Sequence, residues 1–379
     1  MFSSRLRWNL APNPLARLIG EKRASGVRIL DLTESNPTRA GLAYSADEIL
    51  SALASPDSLG YDPDAAGMLR AREAVAGYYD HRVSPDRILL TASTSEAYGF
   101  LFKLLADPGD EVLVPRPSYP LFEFLAELES VRVVHYPLVY DHGWMIDFAA
   151  LEHAIGSRTR AIVIVNPNNP TGSFLKLHEL QQLANYTLAI ISDEVFTDFA
   201  FAPDLRRVST LANQNDVLAF SLSGLSKIAG LPQMKLGWIV VSGPEGDRTE
   251  AYSRLELIAD TYLSVATPVQ CAAAALIGTR ASIQDQIRRR SATNLAALRD
   301  RIKSTAFGLL DVEGGWYAIL QAPRIRSEEE WALELLRREN VLVQPGYFYD
   351  FDREAFLVLS LLPPEKVFSE GLSRLLALD

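Results

Sequence analysis

At 379 residues the chain is long enough, against roughly 150 residues per domain, to form two domains with a sizeable core and no covalent or metal staple. Hydrophobic residues make up 48% and charged residues 22%, a balance that excludes a disordered, collagen-like or coiled-coil protein. Lys and Arg total 37 against 47 Asp and Glu, a formal net charge of −10 that argues against a nucleic-acid partner, and the single Cys271 rules out an intrachain disulfide or a C-x-x-C metal site.

Residues 1–18 carry Arg5, Arg7 and Arg17 but are broken by Asn9, Pro12, Asn13 and Pro14, so they do not read as a secretory signal. The most apolar stretch, 265–277, falls short of the roughly 20 residues that a membrane span needs. A cytoplasmic protein with no membrane partner is expected. One strand, 27–32, lies in the first 44 residues, which are too few to fold alone and are expected to pack on the C-terminal part. Next come short β-branched runs at 87–90, 111–114, 131–136, 161–165, 188–192, 217–220 and 236–241, interleaved with helical spacing at 68–79, 95–105, 121–129, 148–155 and 177–184. This alternation predicts an α/β domain, residues 45–275, whose mostly parallel central sheet is covered by helices on both faces. Past residue 246 helices dominate, and Ile283, Ile287, Leu295, Leu298 and Ile302 mark one long amphipathic helix over 282–303. Strands at 308–312, 316–320, 341–343 and 356–361, with helices at 328–339 and 365–376, complete a smaller α+β domain built from residues 1–44 and 276–379.

No phosphate-binding G-x-x-x-x-G-K-[ST], no G-x-G-x-x-G after a strand and no G-x-S-x-G occurs. His178-Glu179 opens like a zinc-protease helix, but the fifth position is Gln182 and the other histidines lack ligand spacing, so no metal is expected. Four polar segments instead follow one another: Thr-Ala-Ser-Thr-Ser-Glu-Ala at 91–97, Asn-Pro-Asn-Asn-Pro-Thr-Gly at 166–172, Ser-Asp-Glu-Val at 192–195, and Ser-Leu-Ser-Gly-Leu-Ser-Lys at 221–227 with Gly-Leu-Pro-Gln-Met-Lys-Leu-Gly at 230–237. Each sits at the C-terminal end of a predicted strand, the edge where open α/β sheets bind ligands.

Taken together, these segments resemble the class I/II aminotransferases, fold type I enzymes that use pyridoxal 5′-phosphate, over roughly residues 31–376. The resemblance implies a transferase that moves an amino group between an amino donor and a 2-oxo acid. Lys227, one of only seven lysines, matches the residue that forms an imine with the cofactor aldehyde and then moves a proton, work that requires a lysine held neutral. Asp193 matches the buried carboxylate that keeps the cofactor ring nitrogen protonated. Asn169 matches the donor to the phenolic oxygen, with Asn168 reading as a turn residue, and Tyr119 matches the aromatic stacked on the ring. Ser93, Thr94 and Ser95 open a helix where a phosphate can bind. Ser223 or Ser226 adds a hydroxyl, and Lys235 takes the place of a phosphate-binding arginine without its bidentate fork. Tyr61 resembles the tyrosine that reaches the phosphate of a neighbouring subunit, implying a homodimer with shared active sites. Asn36 lies in the N-terminal segment that closes over substrate.

Two positions depart from the family pattern. Val358 stands where the family has an arginine that pairs with the substrate carboxylate; Arg39, Arg116 or Arg353 are substitutes by position, or the substrate is atypical. A lyase or decarboxylase on the same scaffold is the alternative reading, and a ligand-sensing regulatory module a third, disfavoured because no helix-turn-helix precedes residue 30. Phe196 stands where a tyrosine usually donates to the phenolic oxygen. With that donor missing, the imine is expected to hold its proton to higher pH than is usual in the family, and a spectroscopic pH titration that returns a low imine pKa would overturn this.

Overall fold

The computed structural model describes residues 2–378. Its strands, in chain order, are β1 (Leu30–Asp31), β2 (Ile88–Thr91), β3 (Glu111–Arg116), β4 (Arg132–Tyr140), β5 (Trp144–Ile146), β6 (Thr159–Val165), β7 (Ala189–Asp193), β8 (Ala219–Gly224), β9 (Gly237–Ser242), β10 (Gly308–Leu309), β11 (Tyr317–Gln321), β12 (Val341–Leu342), β13 (Gln344–Pro345) and β14 (Phe356–Ser360). The helices are α1 (Pro14–Ala24), α2 (Ala46–Leu53), α3 (Leu69–Tyr78), α4 (Thr94–Leu105), α5 (Phe122–Leu128), α6 (Phe148–Ala154), α7 (Leu177–Ala184), α8 (Leu225–Ile228), α9 (Glu245–Asp260), α10 (Thr267–Gly278), α11 (Arg280–Ile302), α12 (Glu328–Glu334) and α13 (Glu365–Leu376).

Eight strands form the large sheet in the order β2-β9-β8-β7-β6-β3-β4-β5. The five strands β8, β7, β6, β3 and β4 run parallel, while β9 is antiparallel to both β2 and β8, and β5 is antiparallel to β4. The expected α/β architecture is present, with β3, β6, β7 and β8 buried on both faces, as their near-continuous apolar runs require, while β4 is largely half-buried. Ile191, Val163, Val112 and Phe220 join the core under α4 and α9, whereas Ile190, Ile162, Leu113 and Ala219 join the opposite core with Leu151 of α6 and Leu183 of α7. Neighbouring residues of one strand thus serve two cores, the period of two that a pleated strand imposes.

A second sheet, β10-β11-β14-β13, is wholly antiparallel. The core on one side of it gathers Leu15, Leu30 and Leu32 from the N-terminus with Leu295, Leu298, Trp331 and Phe368 from the C-terminal third. Here the strand expected at 27–32 contracts to Leu30 and Asp31, which pair in parallel with Val341 and Leu342. Val27 remains 37% exposed beyond a left-handed Gly26, so nothing packs on it to extend the strand. Strand β8 departs in the other direction. It runs four residues past the expected end at 220, because Ser221 to Gly224 pair with Val240 to Gly237 of β9. Hydroxyl side chains do not end a strand when both neighbours are supplied, and Ser221 and Ser223 are fully buried within it. β5 was not anticipated, and the helix expected over 328–339 is α-helical only to Glu334 before a π-helical turn, Leu335–Glu339.

Sheet order places the four polar segments together. β2, β6, β7 and β8 end at one edge, and antiparallel β9 begins there, so Gly237 faces Gly224. Phe220, the second residue of β8, is fully buried in the core under α4 and α9. Phe220→Ala is expected to lower the unfolding free energy by about 3–5 kcal/mol, measured by equilibrium chemical denaturation.

Candidate active site

A cavity of about 280 Å³ opens at that edge, its wall including Ser35, Ser93, Thr94, Tyr119, Asn169, Asp193, Val195, Phe196, Gly224, Ser226, Lys227, Gly237 and Tyr317. Of the sequence-derived candidates, Ser93, Thr94, Tyr119, Asn169, Asp193, Ser226 and Lys227 come together in this wall.

Asp193 terminates β7 between two parallel neighbours and is buried. Its Oδ1 accepts the Val195 amide at 3.2 Å and its Oδ2 accepts the Tyr98 hydroxyl at 3.3 Å. Burial pushes its pKa up to about 6, against the opposing pull of those two hydrogen bonds and of the Lys227 charge. Lys227 stands on α8, the single turn that follows β8, and its Nζ lies 5.5 Å from the Phe196 ring centre and 5.1 Å from that of Trp316. Desolvation lowers its pKa to about 8, outweighing the attraction of Asp193. An amine in this range is a usable nucleophile and proton carrier near neutral pH. Phe196 and Trp316 pack edge to face at 4.9 Å, so the aromatic floor under the amine is braced.

α4 begins at the other end of the cavity. Ser93 caps it, its Oγ accepting the Glu96 amide at 3.2 Å, while Glu96 accepts the Ala92 amide at 2.7 Å. The leading amides of a helix lack intrahelical acceptors, and with the Thr94 hydroxyl they form a natural anion cradle. Gly224 and Gly237 leave room beside it: a Cβ on Gly224 would stand 2.8 Å from the Leu236 carbonyl oxygen and 2.9 Å from the Gly237 Cα. Tyr119 forms a wall, set edge to face on Phe122 at 5.7 Å. Asn169 is buried in the wall, its Oδ1 lacking a partner among the described residues. Asn168 is taken up by the turn, donating to the Pro117 carbonyl at 3.0 Å and the Thr171 hydroxyl at 2.9 Å and accepting from Ser118 at 2.7 Å.

These residues fit pyridoxal phosphate: an anion cradle, a buried carboxylate, a buried amine, an aromatic wall and an unpartnered amide share one cavity of suitable polarity.

Five candidates lie outside this wall. Ser95 sits in the first turn of α4 but does not line the cavity. Ser223 is sealed within β8, its Oγ without a partner among the described residues. Lys235 is exposed at the left-handed end of a short turn. Asn36 uses its Oδ1 to accept the Thr38 amide at 3.0 Å and hydroxyl at 2.8 Å. Tyr61 is 75% exposed and lines a separate cleft with Leu263 and Gln270. Val358 is buried in the small sheet among Trp144, Leu310, Ile319 and Tyr349, and none of Arg39, Arg116 and Arg353 lines the cavity. Two wall residues went unread in the sequence: Ser35 and Tyr317, which line the cavity together. The signal was faint, Ser35 beside Asn36 and Tyr317 after the Gly314-Gly315 pair.

A family model for aminotransferases of class I and II matches residues 28–368. The alanine aminotransferase of Mycobacterium bovis is 29% identical over 385 residues, covering 96% of this chain and 88% of its own. The glutamate-pyruvate aminotransferase AlaA of Escherichia coli is 32% identical over 272 residues, 69% of this chain and 66% of its own. Among solved structures, an alanine aminotransferase from Pyrococcus furiosus superposes with a TM-score of 0.88 at 23% identity, covering 99% of this chain and 98% of that one. An Escherichia coli aminotransferase gives 0.86 at 25% identity, covering 99% and 96%.

Burial of Asp193 has a measurable sign. Its folded pKa of about 6 exceeds the ordinary 3.8, so the folded state binds the proton more tightly, and the stability it contributes is present below about pH 4 and lost as pH rises to 6. In the cofactor-free protein, Asp193→Asn removes this loss, and the stability of wild type relative to the variant is expected to fall by about 2 kcal/mol between pH 4 and pH 6 in denaturation curves.

Proposed function

The chain belongs to the class I and II aminotransferases, enzymes dependent on pyridoxal phosphate, and we propose that it moves an amino group from an amino donor to a 2-oxo acid through the amine of Lys227. One observation carries this reading: a desolvated lysine on the turn after β8 and a buried carboxylate at the end of the adjacent β7 share one cavity, with a helix N-terminus in its wall.

Pyridoxal phosphate, when bound, supplies an aldehyde for an amine and an electron sink for charge developing at the substrate α-carbon. The chain supplies the rest. Ser93, Thr94 and the α4 amides would hold the phosphate, with Ser226 adding a hydroxyl. Asp193, restrained by Tyr98 and Val195, would hold a positive ring nitrogen by its negative charge. Asn169 would donate to the phenolic oxygen, and Tyr119 would cover the ring. Lys227 would hold the cofactor through its amine and, with that amine free, would hold and move a proton at Nζ; its lowered pKa leaves a substantial neutral fraction at physiological pH. Phe196, Trp316 and Val195 limit water around that atom.

We assign the substrate carboxylate to neutral donors. Val358 brings no cation to the cavity, whereas the hydroxyl side chains of Ser35 and Tyr317 stand in its wall. The names of the relatives, alanine and glutamate-pyruvate aminotransferases, support small amino acids and their oxo acids as the substrates. Tyr61, exposed beside Leu59 and absent from its own chain's cavity wall, is assigned to the phosphate pocket of a second copy, in a homodimer.

The test is the absorbance spectrum of the loaded enzyme as amino donors are added singly without acceptor. Bleaching of the yellow band to a stable pyridoxamine form is the expected result, and Lys227→Ala should lose the band's response together with at least 10³-fold of the activity. Return of the band with release of ammonia or carbon dioxide would replace transamination by lyase or decarboxylase chemistry.

A further inference from the structure

The lysine-bearing helix α8 spans four residues and cannot hold its own shape, because one helical turn fixes many dihedral angles for very few hydrogen bonds. Its end is tied partly by its own backbone: Ala229 donates to the Leu225 carbonyl at 3.3 Å and Gly230 to that of Lys227 at 3.2 Å. The carbonyl of Ile228, the residue after Lys227, is taken by another element. Gln284 of α11 donates Nε2–H to it at 3.0 Å, and the second hydrogen of the same nitrogen goes to Asp198 Oδ2 at 2.8 Å. The amide oxygen of Gln284 accepts from Arg288 at 3.2 Å. Its hydrogen-bonding capacity is therefore directed, and the residue is only 6% exposed.

Asp198 belongs to the strap that leaves β7, five residues beyond Asp193 and two beyond Phe196. It is held in turn by the Tyr78 hydroxyl at 3.1 Å on its carboxylate and by Arg288 Nε at 3.0 Å on its carbonyl. One side-chain amide thus bridges the segment carrying Lys227 and the segment carrying Asp193 and Phe196. We infer that Gln284 is a positioning residue for Lys227: by clasping the Ile228 carbonyl and the Asp198 carboxylate it sets the amine against the aromatic floor and the buried carboxylate. This rests on Lys227 being the reacting amine. The charged and titratable groups facing the clasp are Asp198, Tyr78, Arg280 and Arg288, and Asp193 faces Lys227 itself. Burial raises the Asp198 pKa, so this carboxylate depends on the hydrogen bonds it accepts.

Gln284→Met keeps length and bulk but removes the amide. In the cofactor-free protein, the pH dependence of acylation of Lys227 by acetic anhydride, followed by peptide mass spectrometry, reports the amine directly. The midpoint is expected near pH 8 in wild type and at least one unit higher in Gln284→Met, as α8 loosens toward solvent. In the loaded enzyme kcat should fall by about 10- to 100-fold with the donor KM changed less than about threefold, the split expected when geometry at the reacting atom is lost. Gln284→Glu carries the same test should the methionine variant not fold: its carboxylate repels Asp198 and the carbonyl at neutral pH but can donate one hydrogen bond when protonated, so its kcat relative to wild type should recover as pH is lowered. A folded variant with the wild-type labelling midpoint and kcat overturns the inference. If Lys227→Ala retains the band's response to donors, the reading of Lys227 itself has failed instead.

Discussion

Desolvation of two opposite charges at the ends of neighbouring strands governs this site. Asp193 and Lys227 are both driven toward neutrality, one up to about pH 6 and the other down to about pH 8, and each partly offsets the burial of the other. That opposition gives the carboxylate an incentive to meet a cation and the amine an incentive to be uncharged. The hydrogen bonds from Tyr98 and Val195 are too few to solvate Asp193 fully, and on the function proposed above a positive ring atom would complete its surroundings. A surface pair could not do this, since water would screen both groups.

Much of the remaining architecture serves to keep those strand ends dry and in register. The strands β6, β7 and β8 carry apolar side chains to both faces, so shifting any one of them by a residue would exchange its two cores. Glu194, next to Asp193 and pointing into the other layer, is buried as well, and burial raises it to about 7. Its acceptor capacity is used by the Thr210 hydroxyl at 2.6 Å, the Leu211 amide at 2.8 Å and the Ser221 hydroxyl at 3.0 Å, which fasten the 209–212 loop to β8. Two adjacent carboxylates therefore have separate tasks, decided by which face of the strand each occupies.

The sequence was legible where chemistry demanded a rare pattern. Lys227, Asp193 and Asn169 are identifiable because each lies in a dense polar segment after an apolar strand, and the alternation of strands and helices gives the α/β class. What could not be read depends on contacts remote in sequence. Ser35 and Tyr317 come to one cavity wall across some 280 positions of chain, and no local spacing marks either. The extension of β8 through Ser221 and Ser223 likewise depends on the antiparallel strand beside it, a partner that propensity does not see. Lys235 reads as a phosphate ligand from its motif position, yet the left-handed turn leaves it at the surface of this chain. The short β1 shows the same limit, since an apolar run becomes strand only where a neighbour such as Val341 is within reach.

The paired glycines at the cavity floor bear on how this enzyme can change. Because a Cβ on Gly224 would run into the backbone of Leu236 and Gly237 on the paired strand, this part of the cavity is shaped by strand pairing and not by any side chain. Divergence in substrate preference must therefore come from the rim, where Ser35, Val195 and Tyr317 stand on three separate elements. A lineage of such proteins could exchange those rim residues freely while the floor stayed fixed, so variation among its members should fall almost entirely on one side of the cavity.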